Sequence, residues 1–154
     1  MPRYRASIDA PLDAAAAFDY LADFSTTQEW DPGVSEASMR TPAPVGLGSQ
    51  FHVVASFAGR KVPLTYEITA FERPDRFTVR AENGSTISED TITVLPAAID
   101  GGPVTVQYDA ELRLKGAFRA LEPVMGLLFN GIGDRAAAGL RVALATRAGR
   151  PPEA

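Results

Sequence analysis

The sequence predicts an α+β fold in which a curved antiparallel sheet packs against one long C-terminal helix. Between Val104 and Leu114 apolar and polar residues alternate, which is typical of a strand with one buried and one solvated face. Between Phe118 and Leu144 apolar residues recur at every third or fourth position, which predicts a long helix with one apolar stripe. Such a stripe requires a broad apolar surface to cover it. The alternating segments upstream supply that surface.

The composition is that of a single globular domain. The chain has 154 residues, of which 45% are hydrophobic and 22% are charged. We assign residues 1–147 to one domain and the polar, proline-rich residues 148–154 to a flexible tail. The formal net charge is −4 and the basic residues form no dominant run, so we expect no nucleic-acid partner. No segment has the length and hydropathy of a signal peptide or a membrane span, so we expect a cytoplasmic protein.

Cysteine is absent and histidine occurs once. The absence of cysteine excludes disulfides and thiolate chemistry, and a lone His52 cannot form a metal site of ordinary composition. His52 alternates with Phe51 and Val53, so we expect its side chain on the outer face of its strand. We therefore predict no metal site and no cofactor.

The first forty residues predict a small helical layer between two strands. Pro11 suits a first helical turn, because its missing N–H would have no partner there. Ser25 and Gln28 have the spacing of a capping box, which predicts a second, short helix. The predicted elements are a strand at 3–9, helices at 12–23 and 26–30, and a strand at 34–40.

The middle of the chain predicts successive hairpins. Asn83-Gly84 is a strong signal for a tight turn, and short connections between neighbouring strands indicate an antiparallel sheet. Pro63 lies inside an alternating run, which favours a sheet edge or a bulge at the start of that strand. The predicted strands are 49–57, 62–70, 76–81, 85–95 and 104–115.

The strand at 85–95 has two possible inner faces. Ile92 and Val94 lie on the same face as Asp90, whereas Ile87 lies on the same face as Glu89. If the first face points inward, Asp90 is a carboxyl in an apolar interior, where ionisation is costly and the group can serve as a general acid or base. A bulge, or an arginine partner, would remove it from that role.

Three stretches resemble a known family. IDAPLDAAAAFDYLADFSTTQEWDPGV, FERPDRFTVRAENG and PVTVQYDAELRLKG are similar to the polyketide cyclase/dehydrase-like branch of the START-like (SRPBCC) superfamily. The resemblance covers about residues 3–145. It implies the helix-grip fold: a seven-stranded antiparallel sheet around a long C-terminal helix, with two small helices closing one end. It also implies a cavity for lipids, polyketides, hormones or other apolar molecules, and it names no catalytic residues.

The residues expected to contact a ligand are inward-facing apolar and aromatic side chains together with one carboxyl. Buried phenols need a hydrogen-bond partner, which a ligand can supply. Trp30 is either a wall of the cavity or a packing anchor. Asp90 is the weak catalytic candidate. The predicted ligand-binding residues are Trp30, Phe51, Val53, Tyr66, Phe77, Asp90, Tyr108, Met125 and Phe129.

The long helix contains internal glycines and a proline, which weaken helices. We expect a kink or restart near Glu122-Pro123. The glycines Gly126, Gly131, Gly133 and Gly139 open space for a ligand, let the helix move as a gate, or allow close packing of helix and sheet.

The sequence supports three functional hypotheses. The first is binding of a hydrophobic small molecule between sheet and helix, by a monomer or homodimer. The second is a cofactor-independent cyclase or dehydratase that uses a residue such as Asp90. The third is a non-catalytic interaction module, which a contiguous exposed apolar patch would favour. Enzymatic activity is left open, and the binding hypothesis comes first.

Overall fold

The structure is a computed structural model that describes residues 2–57 and 59–148. Residues 149–154, most of the predicted tail, lie outside the described residues. The strands are β1 (Arg3–Ala10), β2 (Val34–Met39), β3 (Gln50–Phe57), β4 (Arg60–Glu72), β5 (Arg76–Glu82), β6 (Thr86–Leu95) and β7 (Val104–Leu114). The helices are α1 (Ala14–Ala22), α2 (Thr27–Trp30) and α3 (Glu122–Ala148), with 3₁₀ segments at Phe24–Thr26 and Gly116–Leu121.

All seven strands form one antiparallel sheet in the order β1-β7-β6-β5-β4-β3-β2. The first strand therefore pairs with the last, and every other pair is a neighbour in sequence. The sheet curls around α3, and the short helices follow β1. The predicted fold class is confirmed.

Pro63 lies where β4 has a single neighbour. It pairs with Val54 of β3, whereas β5 joins β4 only from Tyr66 onward. A proline lacks the N–H that a second neighbour would need, so this local edge is where the residue is tolerated. The register shift in β4 occurs further along, between Ile68 and Ala70.

The pairing of β6 settles which of its faces is buried. The strand keeps an unshifted register with both β5 and β7. Ser88, Asp90, Ile92 and Val94 are buried, so the face that contains Asp90 is the inner one. No bulge intervenes.

Two details of the helical layer differ from the prediction. Pro11 precedes α1, which begins at Ala14 because the Asp13 side chain accepts a 2.7 Å hydrogen bond from the Ala16 N–H. The Ser25–Gln28 capping box does not form. Instead Gln28 Oε1 accepts a 3.0 Å hydrogen bond from the Ala37 N–H, which ties α2 to β2.

The chain changes from a 3₁₀ segment to an α-helix at Glu122-Pro123, where the sequence predicts a restart. Pro123 therefore lies in the first turn of α3, where its missing N–H costs little. The buried residues of α3 are Ala136, Leu140 and Leu144, all in its second half.

The predicted apolar stripe is buried only in its second half, and its first part is largely exposed. Phe118, Leu121 and Leu128 are 52%, 51% and 45% exposed. Phe118 and Leu121 border a cavity, whereas Leu128 does not line it.

Candidate functional site

A cavity of about 470 Å³ lies between the inner face of the sheet and α3. Its walls come from every strand except β5, from α2 and α3, and from both 3₁₀ segments. Most lining side chains are apolar. The polar ones belong to Tyr4, Thr27, Asp31, Ser56, Arg60, Tyr66, Ser85, Thr86, Ser88, Asp90 and Tyr108.

Seven of the nine predicted ligand-binding residues line this cavity. They are Trp30, Val53, Tyr66, Asp90, Tyr108, Met125 and Phe129. They come together because alternation in the strands and the helical period in α3 direct them to the same space.

Phe51 and Phe77 lie in the packed core instead of the cavity wall. Both are fully buried. Phe51 stands edge-on to Phe24 at 6.3 Å between ring centroids, and Phe77 stands edge-on to Phe18 at 5.5 Å. The rings of α1 and the first 3₁₀ segment fill this end of the sheet, so no ligand space remains beside them.

Asp90 and Tyr108 form a hydrogen-bonded pair on the cavity wall. The Tyr108 hydroxyl donates to Asp90 Oδ2 at 2.7 Å. Asp90 pairs with Ala110 in the β6–β7 register, so Tyr108 lies two residues along on the same face. Burial raises the pKa of Asp90 to about 7, and the Tyr108 hydrogen bond opposes that rise. This carboxyl can therefore exchange a proton near neutral pH.

A second hydrogen-bonded pair spans β5. Tyr66 of β4, Ala81 of β5 and Ser88 of β6 lie in register across the sheet. Because the Ala81 side chain is small, the Tyr66 hydroxyl reaches Ser88 Oγ at 2.8 Å. Burial raises the pKa of Tyr66, so it remains a neutral phenol.

Trp30 forms the part of the cavity wall that lies beside Tyr108. Its ring stands edge-on to Tyr108 at 6.0 Å between centroids. A Cβ at Gly139 of α3 would collide with the Trp30 carbonyl oxygen, and one at Gly133 would collide with the Tyr4 ring. These two glycines therefore permit close packing, whereas a Cβ at Gly126 would meet no atom within 4 Å.

Asp31 is a lining residue that the sequence did not single out as a ligand contact. Its carboxylate accepts a 2.8 Å hydrogen bond from the Gly33 N–H. Burial raises the pKa of Asp31, while that hydrogen bond and the charge of Arg135 oppose the rise. The sequence feature that could have identified Asp31 as a lining residue is its position directly after Trp30, which was predicted to contact a ligand.

Exposed apolar side chains are concentrated where the second 3₁₀ segment passes into α3. We call Phe118, Leu121, Val124, Leu127 and Leu128 the mouth patch; each is between 45% and 79% exposed. Phe118 and Leu121 also line the cavity. The patch therefore shares these two residues with the cavity wall, whereas Val124, Leu127 and Leu128 are not lining residues.

The described part of the chain offers neither a metal cluster nor a membrane span. Within residues 2–57 and 59–148, no three His, Asp or Glu side chains lie together as a metal site requires. His52 does not line the cavity. Over the same residues, no helix combines the length and apolar character needed to cross a bilayer.

The family model described as "Polyketide cyclase / dehydrase and lipid transport" matches residues 1–145. No curated protein matches the chain. Several solved structures are similar to it in fold. A START superfamily protein from Mycobacterium smegmatis has 12% identity and a TM-score of 0.75, covering 92% of this chain and 96% of its own.

Two further structures extend the comparison. The protein TTHA0849 from Thermus thermophilus has 18% identity and a TM-score of 0.77, with 97% of this chain and 100% of that chain covered. The Zhui aromatase/cyclase from a Streptomyces species has 11% identity and a TM-score of 0.72, with 95% and 92% covered. At these identities the likeness concerns the fold.

Proposed function

Because this chain belongs to the polyketide cyclase/dehydrase and lipid transport family, we propose that it binds an apolar small molecule in the cavity between sheet and α3. The single observation that carries the proposal is the cavity itself, about 470 Å³ in volume and lined mainly by apolar side chains. Ligand sites of this size combine apolar walls with a few polar groups that fix orientation. Here those groups are the Asp90–Tyr108 and Tyr66–Ser88 pairs.

The mouth patch supports entry of such a ligand beside α3. Leu127 is 79% exposed although it is strongly apolar. Exposed apolar patches mark interaction sites or ligand grooves. Since Phe118 and Leu121 belong to both patch and cavity wall, we assign the patch to ligand entry and not to an independent interaction module.

The test is uptake of the neutral fluorescent probe Nile red, together with native mass spectrometry of the purified protein. Ala137 lines the cavity, whereas Ala138 is exposed and does not. Ala137→Phe fills cavity space and should abolish probe uptake. Ala138→Phe makes the same change on the same helix and should leave uptake unchanged. Equal uptake by both variants, or none by the unmodified protein, contradicts the proposal.

A second candidate function is cofactor-independent cyclisation or dehydration of a polyketide-like substrate. The observation that favours it is a buried carboxyl, Asp90, whose pKa of about 7 suits general acid–base catalysis. Incubation with a short poly-β-ketone thioester tests it. Product formation above the spontaneous rate, lost in Asp90→Asn, supports the enzyme; a spontaneous rate throughout eliminates it for this substrate class.

A further inference from the structure

The acidic and basic side chains that line the cavity differ in how deeply they are buried. Among the described lining residues, Asp31, Asp90 and Arg60 carry charge. Arg60 is exposed at the first position of β4, whereas Asp90 is 6% exposed in the middle of β6. Within residues 2–57 and 59–148, neither Asp31 nor Asp90 forms an ion pair. The interior therefore holds two acidic groups that form no ion pair, although the charge of Arg135 acts on Asp31.

One carboxylate oxygen of Asp90 accepts no hydrogen bond from the described residues. In the described part of the chain its carboxylate accepts one hydrogen bond, at Oδ2, from the Tyr108 hydroxyl. Oδ1 is not among the buried polar atoms that lack a partner, so it is accessible from the cavity. A bound ligand can complete the site by donating to this oxygen.

Two kinds of ligand group can donate there, a neutral hydroxyl and a protonated amine. The negative charge of Asp31 disfavours ionisation of Asp90, because the two carboxylates repel each other. A cation relieves that repulsion, whereas a hydroxyl does not. The rings of Trp30 and Tyr108 line the same cavity, with their centroids 6.0 Å apart.

We infer that the ligand is an apolar molecule with one protonated amine, whose nitrogen donates to Asp90 Oδ1 beside the aromatic rings of Trp30 and Tyr108. This inference rests on the proposed function, since it names the ligand class of the same cavity. An apolar body occupies the remaining space toward Met125 and Phe129, which also line it.

The test is competition against bound Nile red by three ligands with the same chain and different ends: decylamine, decanol and decanoate. Decylamine should displace the probe at a concentration at least about tenfold lower than decanol, equivalent to about 1.4 kcal/mol. Decanoate should be the weakest, because the cavity acids repel it. Asp90→Asn should remove the preference for the amine, measured as the ratio of the decylamine and decanol concentrations that displace the probe from that variant.

Glu89→Gln is the matched control. Glu89 is the neighbouring acid on β6 and lies on the opposite face from Asp90. Its substitution removes one negative charge from the same strand without changing the cavity wall. The amine preference should persist in this variant.

A measurement on the unmodified protein covers the case in which Asp90→Asn does not fold. The amine preference should fall as the pH decreases from about 8 to about 5, because Asp90 becomes protonated while an alkylamine stays charged. Tyr108 of β7, Asp31 after α2 and Tyr66 of β4 line the cavity with Asp90, and Arg135 of α3 acts on Asp31. The outer-face acids that act on Asp90 through charge are Glu89 and Asp109.

The outcomes separate the two proposals. Nile red binding with equal displacement by decylamine and decanol overturns the amine inference and leaves the proposed function standing. The same holds if Asp90→Asn keeps the full preference, or if the preference does not change with pH. Failure to bind Nile red at all overturns both.

Discussion

The Tyr108 hydroxyl donates to Asp90 Oδ2 at 2.7 Å, and this bond joins two strands on the wall of an apolar cavity. It stabilises the ionised carboxyl, while burial favours the neutral one. The balance places the pKa of Asp90 at about 7. The pair and the packing around it lead to measurable consequences for stability and titration.

Asp90 should make the stability of the empty protein depend on pH. Its pKa is about 7 when folded and 3.8 ordinarily, so the folded state binds the proton more tightly. The contribution of Asp90 to the unfolding free energy is fully present below about pH 4 and is lost as the pH rises through about 7. Asp90→Asn should remove that dependence, on the order of 4 kcal/mol at about 1.4 kcal/mol per pKa unit.

Urea unfolding of both proteins at several pH values measures this difference. The unfolding free energy of the unmodified protein, relative to Asp90→Asn, should decrease between about pH 4 and about pH 7. Glu89→Gln is the control, because it also removes a carboxyl from β6 but does so on the outer face of the sheet. A difference that is constant with pH would show that Asp90 titrates alike in the folded and unfolded states.

Tyr108→Phe should move the titration of Asp90 upward from about pH 7. The substitution removes the hydroxyl that stabilises the carboxylate and leaves the ring in place. Carbon-13 NMR of the Asp90 carboxyl measures the midpoint of its titration, which is the pH at which half of the molecules carry the proton. Stability at about pH 8 should fall by roughly 1.5–3 kcal/mol, because the carboxylate loses a charge-assisted hydrogen bond.

Tyr66→Phe is the matched comparison for that experiment. It removes a buried phenolic hydroxyl whose partner is Ser88 and not Asp90. The Asp90 midpoint should move upward less than in Tyr108→Phe. Equal movement in the two variants would mean that the direct hydrogen bond does not govern the carboxyl.

Gly139→Ala should destabilise the fold by about 2 kcal/mol, because the new methyl group meets the backbone carbonyl of Trp30. Gly126→Ala makes the same change in the same helix where no atom lies within 4 Å. It should stabilise by up to about 1 kcal/mol through helix propensity. Thermal unfolding of the two variants provides the measurement, and a stabilising Gly139→Ala would contradict the close approach.

The strand and helix periods were sufficient to predict the layers of the fold. Alternation in β7 places Tyr108 on the inner face, and the same rule applied to β3 places Val53 there. Alternation could not choose between the faces of β6, because both carry apolar residues. The pairing of β6 with both neighbours, a long-range property, is what directs Asp90 inward.

Which inward residues contact open space also depends on distant parts of the chain. Phe51 and Val53 share a face of β3, yet Phe51 packs on Phe24 while Val53 lines the cavity. The difference is set by where the short helices cover the sheet. Periodicity likewise located the stripe of α3 and could not show that the buried residues of the helix all lie in its second half.

Selection can act differently on the two halves of α3, because its buried residues all lie in the second half and its first half is largely exposed. Leu140 and Leu144 are buried in the core, so changes there act on folding. Leu127 and Leu128 are exposed at the mouth patch, and surface substitutions usually change stability by less than about 0.5 kcal/mol. Evolution can therefore alter the exposed side chains of the mouth patch while the architecture persists.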